Sequence, residues 1–229
     1  AFKAALMDLC VDIIYNFPDQ KVEDVLEDAR IVKELGLSSA SFYSLMVHEG
    51  SKLSKDIENE KVKMKTDVER DYLLYQHFVD EMLLDNSYHI LELTKIAKNN
   101  GDNYKYIRVR NTGGDTFPIG VGAGGSVQGI GKFNMSKEMS FCSKQTEYHE
   151  RFARLSGYMQ FPVIEKAVVQ EMLSQEEYGY FHEKMKDYEE KGLVVIDENS
   201  YKLTKLGIFW GNNISSEIII YIMERIFNK

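Results

Sequence analysis

The stretch Val11-Asp12-Ile13-Ile14-Tyr15-Asn16-Phe17-Pro18-Asp19-Gln20 decides how the first part of this chain folds. Its first seven residues are rich in β-branched and aromatic side chains and are closed by Pro18-Asp19, so they predict a strand over 11–17. The following stretch, 22–35, carries apolar residues at helical spacing and ends at Gly36. It predicts a helix, and the two segments form one strand–helix unit.

The same order continues along the chain. A second strand is predicted over 39–47, a long helix over 61–85 and a third strand over 88–95. A fourth short strand, 117–120, leads into the glycine-rich segment 120–131. Strands that alternate with helices favour an α/β fold with a parallel sheet, either open or barrel-shaped.

The last third of the chain predicts a different architecture. Helices are expected over 163–173 and 174–191, and Ser174 with Glu177 three residues later forms a capping-box pattern. Two short strands, within 193–203, and a final helix from about residue 215 complete a winged-helix-like α+β order. We therefore expect two domains, 1–158 and 159–229.

Composition limits the partners of the protein. The 229 residues include 44% hydrophobic residues, enough for a substantial core, and 28 Lys and Arg against 36 Asp and Glu give a net charge of −8. This charge disfavours nucleic acid and anionic lipid. Because the sequence has neither an apolar run of roughly 20 residues nor a signal-peptide pattern at its start, we expect a soluble cytoplasmic protein.

Metal-ligand spacing is absent from the sequence. The chain has two cysteines, Cys10 and Cys142, and five histidines, none of them arranged as C-x-x-C or H-E-x-x-H. The sequence therefore predicts no metal site. His48 alone among the histidines follows a predicted strand directly, at the edge where parallel sheets place their active sites.

Asp12 is the first candidate binding residue. Alternation along the strand puts Cys10, Asp12 and Ile14 on one face and Ile13 and Tyr15 on the other. A carboxylate inside a parallel sheet is costly unless a partner satisfies it. Asp12 is thus expected to meet a ligand hydroxyl or a cation, or else to be held structurally by a backbone amide or a lysine.

The glycine-rich segment is the second candidate. Gly120–Gly125 matches the G-x-G-x-x-G pattern of dinucleotide-binding proteins. That reading requires a helix at the third glycine, whereas the residues that follow are poor in helix formers. What remains is bare backbone at a strand end, which either lets a ligand approach closely or forms a tight turn without one.

At this point the residues resemble a known family. The segment 11–20 is similar to the D-L-I-Y-G-L-P-G-Q strand and turn of radical S-adenosylmethionine (SAM) enzymes related to oxygen-independent coproporphyrinogen III oxidase. In the same order, 92–97 (ELTKIA) resembles E-I-S-N-F-A and 120–126 resembles G-x-G-A-x-S. The glycines at 122–125 and the segment 207–213 (GIFWGNN) are most similar to the haem-utilisation branch, associated with anaerobic opening and methylation of haem.

The resemblance implies the C-terminal half of a partial (β/α) TIM-like radical SAM barrel, followed by the winged-helix-like domain. It implies that Asp12 contacts SAM, that Gly122, Ala123 and Gly124 line the cofactor or substrate cavity, and that Thr94 is a weaker cofactor contact. We add Tyr15, Tyr43 and His48 as candidate substrate contacts, although strand aromatics usually belong to the core. No catalytic residue is assigned.

Two departures from the family pattern stand out. Asn16 and Asp19 replace family glycines, so the turn after the first strand is expected to change its ligand geometry. Moreover, the family holds a [4Fe–4S] cluster with a C-x-x-x-C-x-x-C loop, which this sequence does not contain. The cluster is therefore expected in the half of the parent enzyme that is missing here, and this chain alone is expected to be inactive.

For the complete enzyme, the resemblance implies an oxidoreductase or methyltransferase that generates a 5′-deoxyadenosyl radical and acts on a tetrapyrrole, with electrons from a flavodoxin or ferredoxin. Three alternatives remain open. They are oxygen-independent coproporphyrinogen III oxidase, a non-catalytic haem-binding or haem-trafficking protein, and a winged-helix regulator. The last is disfavoured because 174–229 lacks a basic recognition helix.

Overall fold

The computed structural model of the protein describes residues 8–64, 67–101 and 104–227. Two compact units make up the chain, residues 1–103 and 104–229. None of the helices among the described residues combines the length and apolar character needed to span a membrane.

The first unit contains a four-stranded mixed sheet. Its strands lie in the order β1-β2-β4-β3, and β1 and β2 are parallel, with a helix between them in sequence. The elements are β1 (Cys10–Tyr15), α1 (Val22–Glu34), β2 (Ser39–Ser44), α2 (Lys52–Glu58), α3 (Val68–Leu83), β3 (Tyr88–Glu92) and β4 (Lys95–Lys98).

The third predicted strand differs from expectation. The segment 88–95 forms β3 and the start of a hairpin, and β4 pairs antiparallel with both β2 and β3. Leu93 and Thr94 make the turn without a glycine, proline or asparagine, so the usual turn signal is missing from the sequence. The parallel pairing expected across the whole sheet is therefore limited to β1 and β2.

One face of this sheet packs against helices. Tyr15 of β1 stacks on Phe42 of β2 with ring centroids 4.0 Å apart, and Phe42 stacks on Phe78 of α3 at 3.8 Å. Phe78 is fully buried, as are Val25 and Ala29 of α1. The aromatic side chains of the two parallel strands thus form the core, as is usual for strand aromatics.

The second unit contains two small antiparallel sheets. Their strand orders are β5-β6-β7 and β8-β10-β9. The elements are α4 (Lys105–Asn111), β5 (Gly124–Val127), β6 (Ile130–Asn134), β7 (Ser140–Lys144), α5 (Glu147–Tyr158), β8 (Val163–Glu165), α6 (Lys166–Met172), α7 (Gln175–Glu190), β9 (Val194–Ile196), β10 (Ser200–Leu203), α8 (Lys205–Phe209) and α9 (Gly211–Phe227).

The division into units differs from the boundary expected near residue 158. Helix α5, which ends at Tyr158, packs against α6 and α9 and therefore belongs to the second compact unit. The compact units are defined by packing within this chain, whereas the predicted boundary concerns the end of the barrel domain. The assignment of 1–158 to the barrel and of 159–229 to a winged-helix-like domain stays a prediction.

A buried ion pair joins α5 to α7 in the second unit. Ser174 caps α7 and Glu177 reaches back to its backbone, so the expected capping box is present. The same Glu177 carboxylate, whose side chain is 5% exposed, accepts two hydrogen bonds from Arg151, at 3.0 and 2.9 Å. One carboxylate thus satisfies a helix start and fixes a neighbouring helix.

Candidate functional site

A row of polar side chains crosses the face of the first sheet opposite the aromatic stack. Asp12 of β1 lies opposite Ser41 of β2, which lies opposite Lys95 of β4. Ser41 and Lys95 are each 3% exposed, whereas Asp12 is exposed. We call Asp12, Ser41 and Lys95 the polar row.

The exposure of Asp12 corrects one expectation. We expected a carboxylate buried within a parallel sheet that needs a partner to offset its desolvation. Instead, β1 is an edge strand of the sheet that the described residues form, and the Asp12 side chain is exposed to solvent. Its position on the polar side of the sheet is as the strand alternation predicts, and its role as a cofactor contact stays a prediction.

Lys95, a member of the polar row, and Glu92, its register partner on β3, were not predicted from the sequence. The Lys95 Nζ lies 2.9 Å from the Cys10 Sγ. Burial raises the pKa of the nearby Glu92, although the Thr94 hydroxyl and the Lys95 charge both act to lower it. Glu92 and Lys95 are the two charged residues within 92–97, but the hairpin that makes them register partners was not recognised from the sequence.

Thr94 lies in the turn between β3 and β4 rather than at the end of a parallel strand. Its hydroxyl donates to a Glu92 carboxylate oxygen at 3.4 Å, and its carbonyl accepts from the Phe42 amide at 2.8 Å. The backbone of Thr94 therefore extends the β2 ladder. Its side chain is next to an acidic group, which is compatible with a polar site but does not by itself indicate a cofactor contact.

The three proposed substrate contacts have different surroundings. Tyr15 is 3% exposed in the aromatic core, and burial followed by the nearby Asp71 carboxylate raises its pKa. A substrate contact by Tyr15 is therefore not compatible with this packing. Tyr43, 39% exposed, is the register neighbour of Ile14 and shares the side of the polar row, and His48 is exposed in the turn after β2.

The turn after β1 keeps a glycine-like backbone without glycine. Asn16 and Asp19 have φ values of 68° and 60°, in the left-handed region that Asn and Asp tolerate better than most residues. Both positions thus adopt the conformation for which glycine is usually selected. The altered ligand geometry expected from the replacement of two family glycines stays a prediction.

Arg70 and Gln20 hold this turn in place. The Gln20 side-chain oxygen accepts from the Asn16 and Phe17 amides at 2.5 and 3.2 Å. Arg70, from the first turn of α3, donates to the Phe17 and Gln20 carbonyls at 3.0 and 2.8 Å and to the Asn16 side chain. Arg70 was not singled out in the sequence because its contact is more than 50 residues distant along the chain.

The glycine segment lies in the second unit, and its surroundings differ from expectation. Phe117–Gly120 is not a strand; Gly124 opens β5 and the chain continues into a β5–β6 hairpin. A strand and not a helix forms at Gly125, the third glycine of the pattern, as the residues that follow it predicted. Gly122 has a φ of 79° and nothing within 4 Å of the position of an added Cβ, so its backbone is accessible.

Across residues 8–64, 67–101 and 104–227, no group of three or more His, Cys, Asp or Glu side chains is placed to hold a metal ion. Cys10 and Cys142 are both free and exposed.

Comparison with known proteins supports the resemblance drawn from the motifs. The chain is 26% identical to anaerobilin synthase from Escherichia coli O157:H7 over 125 residues, which are 54% of this chain and 27% of that protein. No protein-family model matches the chain.

The fold agrees with the sequence match. The structure of coproporphyrinogen III oxidase from Escherichia coli, described as a radical SAM enzyme, superposes with a TM-score of 0.68 and 14% identity. The match covers 93% of this chain and 55% of that one, so the chain spans about half the length of the solved structure. The chain is thus similar in sequence to part of anaerobilin synthase and in fold to part of the radical SAM coproporphyrinogen III oxidase, and in both comparisons it spans only part of the other protein's length.

Proposed function

We propose that this chain forms part of a radical SAM enzyme that acts on haem under anaerobic conditions, in the manner of the branch to which anaerobilin synthase belongs. The observation that carries the proposal is the sequence match to that synthase, which spans more than half of this chain. The fold match to coproporphyrinogen III oxidase supports the wider family and, at 14% identity, does not choose the substrate.

The polar row fits one side of a SAM site. An exposed carboxylate such as Asp12 can accept hydrogen bonds from the two ribose hydroxyls, whereas Ser41 and Lys95, its neighbours in the polar row, are buried. Thr94 is a further candidate contact in the first unit. Gly122, Ala123 and Gly124 lie in the second unit and stay candidate cofactor contacts on the family resemblance. When SAM is bound next to a reduced cluster, it supplies radical chemistry to the substrate.

The cluster itself does not fit this chain. A [4Fe–4S] cluster of this family needs three closely spaced cysteine thiolates, whereas the chain has two cysteines on separate compact units. We therefore assign the cluster to a part of the enzyme outside this chain and assign no step of the reaction to it here. This chain alone is expected to leave SAM uncleaved.

Within the substrate site, the exposed side chains Tyr43 and His48 are the candidates for tetrapyrrole contacts. Tyr43 offers an aromatic surface on the side of the polar row, and His48 offers an imidazole in the turn after β2. Tyr15 is left out because its ring belongs to the core. A flavodoxin or ferredoxin is the expected electron donor to the complete enzyme.

The function is tested with a fusion in which this chain replaces the matching segment of the Escherichia coli anaerobilin synthase. With SAM, reduced flavodoxin and haem in the absence of oxygen, we expect loss of the haem Soret band and formation of a ring-opened product. A parallel reaction contains coproporphyrinogen III in place of haem. Decarboxylation in that reaction, with haem left intact in the first, would support the alternative function, coproporphyrinogen III oxidase. Haem binding without cluster-dependent turnover would favour haem trafficking.

The role of Asp12 is tested in the same fusion with Asp12→Asn. Because a charge-assisted hydrogen bond contributes about 1.5–3 kcal/mol, we expect SAM affinity to fall roughly 10- to 100-fold. Asp19→Asn is the matched control, since it removes an exposed carboxylate in the nearby turn while keeping a residue that tolerates positive φ. Unchanged SAM affinity in Asp12→Asn would remove Asp12 from the site.

A further inference from the structure

Cys10 and Lys95 bring a thiol and an amine together on the polar side of the first sheet. The Lys95 Nζ lies 2.9 Å from the Cys10 Sγ, although the two residues are 85 positions apart in sequence. Cys10 is exposed, whereas Lys95 is 3% exposed. The contact therefore joins a sulfur that a small solute can reach to a nitrogen that is held inside the protein.

The strand register explains how these two side chains meet. Cys10 lies opposite Ser39 of β2, and Lys95 of β4 lies opposite Ser41 of β2, so β2 runs between them. Alternation along the strands puts all four side chains on the same side of the sheet. Because the serine side chains are small, the long Lys95 side chain extends over β2 and reaches β1.

Each of the two groups suits one part of an oxidation reaction. The thiolate is the form of cysteine that reacts with hydrogen peroxide, and the sulfenic acid that results can condense with a nearby nitrogen. A protonated lysine can donate the proton that the hydroxide leaving the peroxide requires. Loss of that proton leaves the Lys95 nitrogen as a neutral nucleophile beside the oxidised sulfur.

We propose that Cys10 and Lys95 form a reversible sulfur–nitrogen bridge when the protein is exposed to hydrogen peroxide. In the first step, the Cys10 thiolate attacks one peroxide oxygen, the O–O bond breaks, and the leaving hydroxide takes a proton from the Lys95 ammonium to become water. The sulfur loses two electrons, which the peroxide gains. In the second step, the Lys95 amine attacks the sulfenic sulfur, the S–O bond breaks as the S–N bond forms, and the hydroxyl group leaves with one amine proton as water.

The bridge changes the polar row and is reversed by thiols. It ties β1 to β4 across β2 and replaces the Lys95 ammonium with a neutral nitrogen, so the row that contains Asp12 loses a positive charge. One reductant thiol attacks the sulfur and releases the amine, and a second restores the Cys10 thiol as the two reductants form a disulfide. The bridge thereby keeps Cys10 from irreversible oxidation to sulfinic acid. This inference does not depend on the proposed function.

The test exposes this chain to hydrogen peroxide, alkylates the remaining thiols and digests the protein with trypsin in the absence of a reductant. Mass spectrometry then searches for the peptide that contains Cys10 joined to the peptide that contains Lys95. We expect a joined species that weighs two hydrogens less than the sum of its parts and that separates in dithiothreitol. Cys142→Ser is expected to retain the bridge, because the second cysteine takes no part in it.

Lys95→Met removes the amine and keeps an unbranched side chain. Lys98→Met is the matched control, because Lys98 is exposed on the same strand and alternation places it on the other side of the sheet. Circular dichroism verifies that both variants fold. After equal exposure to peroxide, we expect dithiothreitol to restore about tenfold less Cys10 thiol in Lys95→Met than in the unsubstituted chain, and an unchanged amount in Lys98→Met.

Three outcomes overturn the bridge. They are a Cys10 sulfinic acid without any joined peptide, a disulfide of Cys10 in place of the link to Lys95, and a joined peptide heavier by one oxygen atom, which is an N–O–S link rather than a direct bond. If Lys95→Met does not fold, the unsubstituted chain and Cys142→Ser still decide among these results, because the masses of their peptides identify the bond directly.

Discussion

The sheet of the first unit and the sheet β8-β10-β9 of the second unit bury their strands to different extents. In the latter, Ile164 and Tyr201 are fully buried and Val194 is 2% exposed, because helices of the same unit provide the core around them. In the first unit, β1 is largely exposed along its edge and on the side that carries Asp12. The C-terminal sheet thus completes its own core, whereas the first sheet leaves alternate side chains of β1, Asp12 among them, exposed.

The treatment of charge differs in the same way. In the second unit, Glu177 is buried and both of its oxygens bind Arg151, so desolvation is offset by charge-assisted hydrogen bonds. In the first unit, the Asp12 carboxylate remains in water and keeps its capacity to accept hydrogen bonds. The Glu177 carboxylate therefore contributes to the stability of the second unit. The exposed Asp12 carboxylate can still accept hydrogen bonds from a ligand.

The largest effect is expected from removing the core under the first sheet. Phe78→Ala deletes a fully buried ring stacked on Phe42 and is expected to lower the free energy of unfolding by about 3–5 kcal/mol. Leu73→Ala on the same helix is the control. Because Leu73 is 45% exposed, this substitution should change the free energy of unfolding little. Urea unfolding followed by circular dichroism measures both. Equal effects of the two substitutions would contradict the assignment of the aromatic stack as the core.

A smaller loss is expected from the buried pair in the second unit. Arg151→Met leaves the Glu177 carboxylate without its bidentate partner, and we expect a loss of about 2–3 kcal/mol, reduced because Arg151 is 24% exposed. The control is Lys202→Met, whose partner pair with Asp197 is exposed, and it should leave urea unfolding nearly unchanged. If the two variants unfold alike, the pair contributes no more than a surface ion pair.

The smallest effect concerns the turn beside the polar row. Asp19→Val places a β-branched residue at a φ of 60° and is expected to cost about 1–2 kcal/mol, whereas Asp19→Gly relieves the backbone and should cost little. Thermal unfolding of both variants provides the measurement. A valine variant as stable as the glycine variant would show that the turn relaxes and that its conformation is not fixed by Arg70 and Gln20.

Local signals in the sequence predict a considerable part of the fold. The strand–helix–strand order of β1, α1 and β2 follows from period-two and helical spacing, and the capping box at Ser174 and Glu177 predicts the start of α7. These features depend on residues that are close in sequence. The β3–β4 hairpin was missed because its turn lacks the usual residues, and the sheet β5-β6-β7 was missed because glycines interrupt the apolar alternation.

The candidate site was less predictable, for a physical reason. Alternation correctly places Asp12 on the polar side of β1, but whether that side is covered depends on the position of β1 in the sheet, which no local pattern encodes. The contacts of Lys95 with Cys10 and of Arg70 with the turn join residues far apart in sequence. Tyr15 illustrates the same limit, since its helix-facing packing against Phe42 and Phe78 decides against a substrate contact.

The turn after β1 has a consequence for how relatives of this kind are found. Asn16 and Asp19 occupy positive-φ positions where a motif written in letters would demand glycine. A search pattern that accepts any residue able to adopt this conformation, namely Gly, Asn or Asp, would retain such chains, whereas one restricted to glycine would discard them. For this loop, two backbone positions with positive φ are therefore a more inclusive search criterion than two glycines.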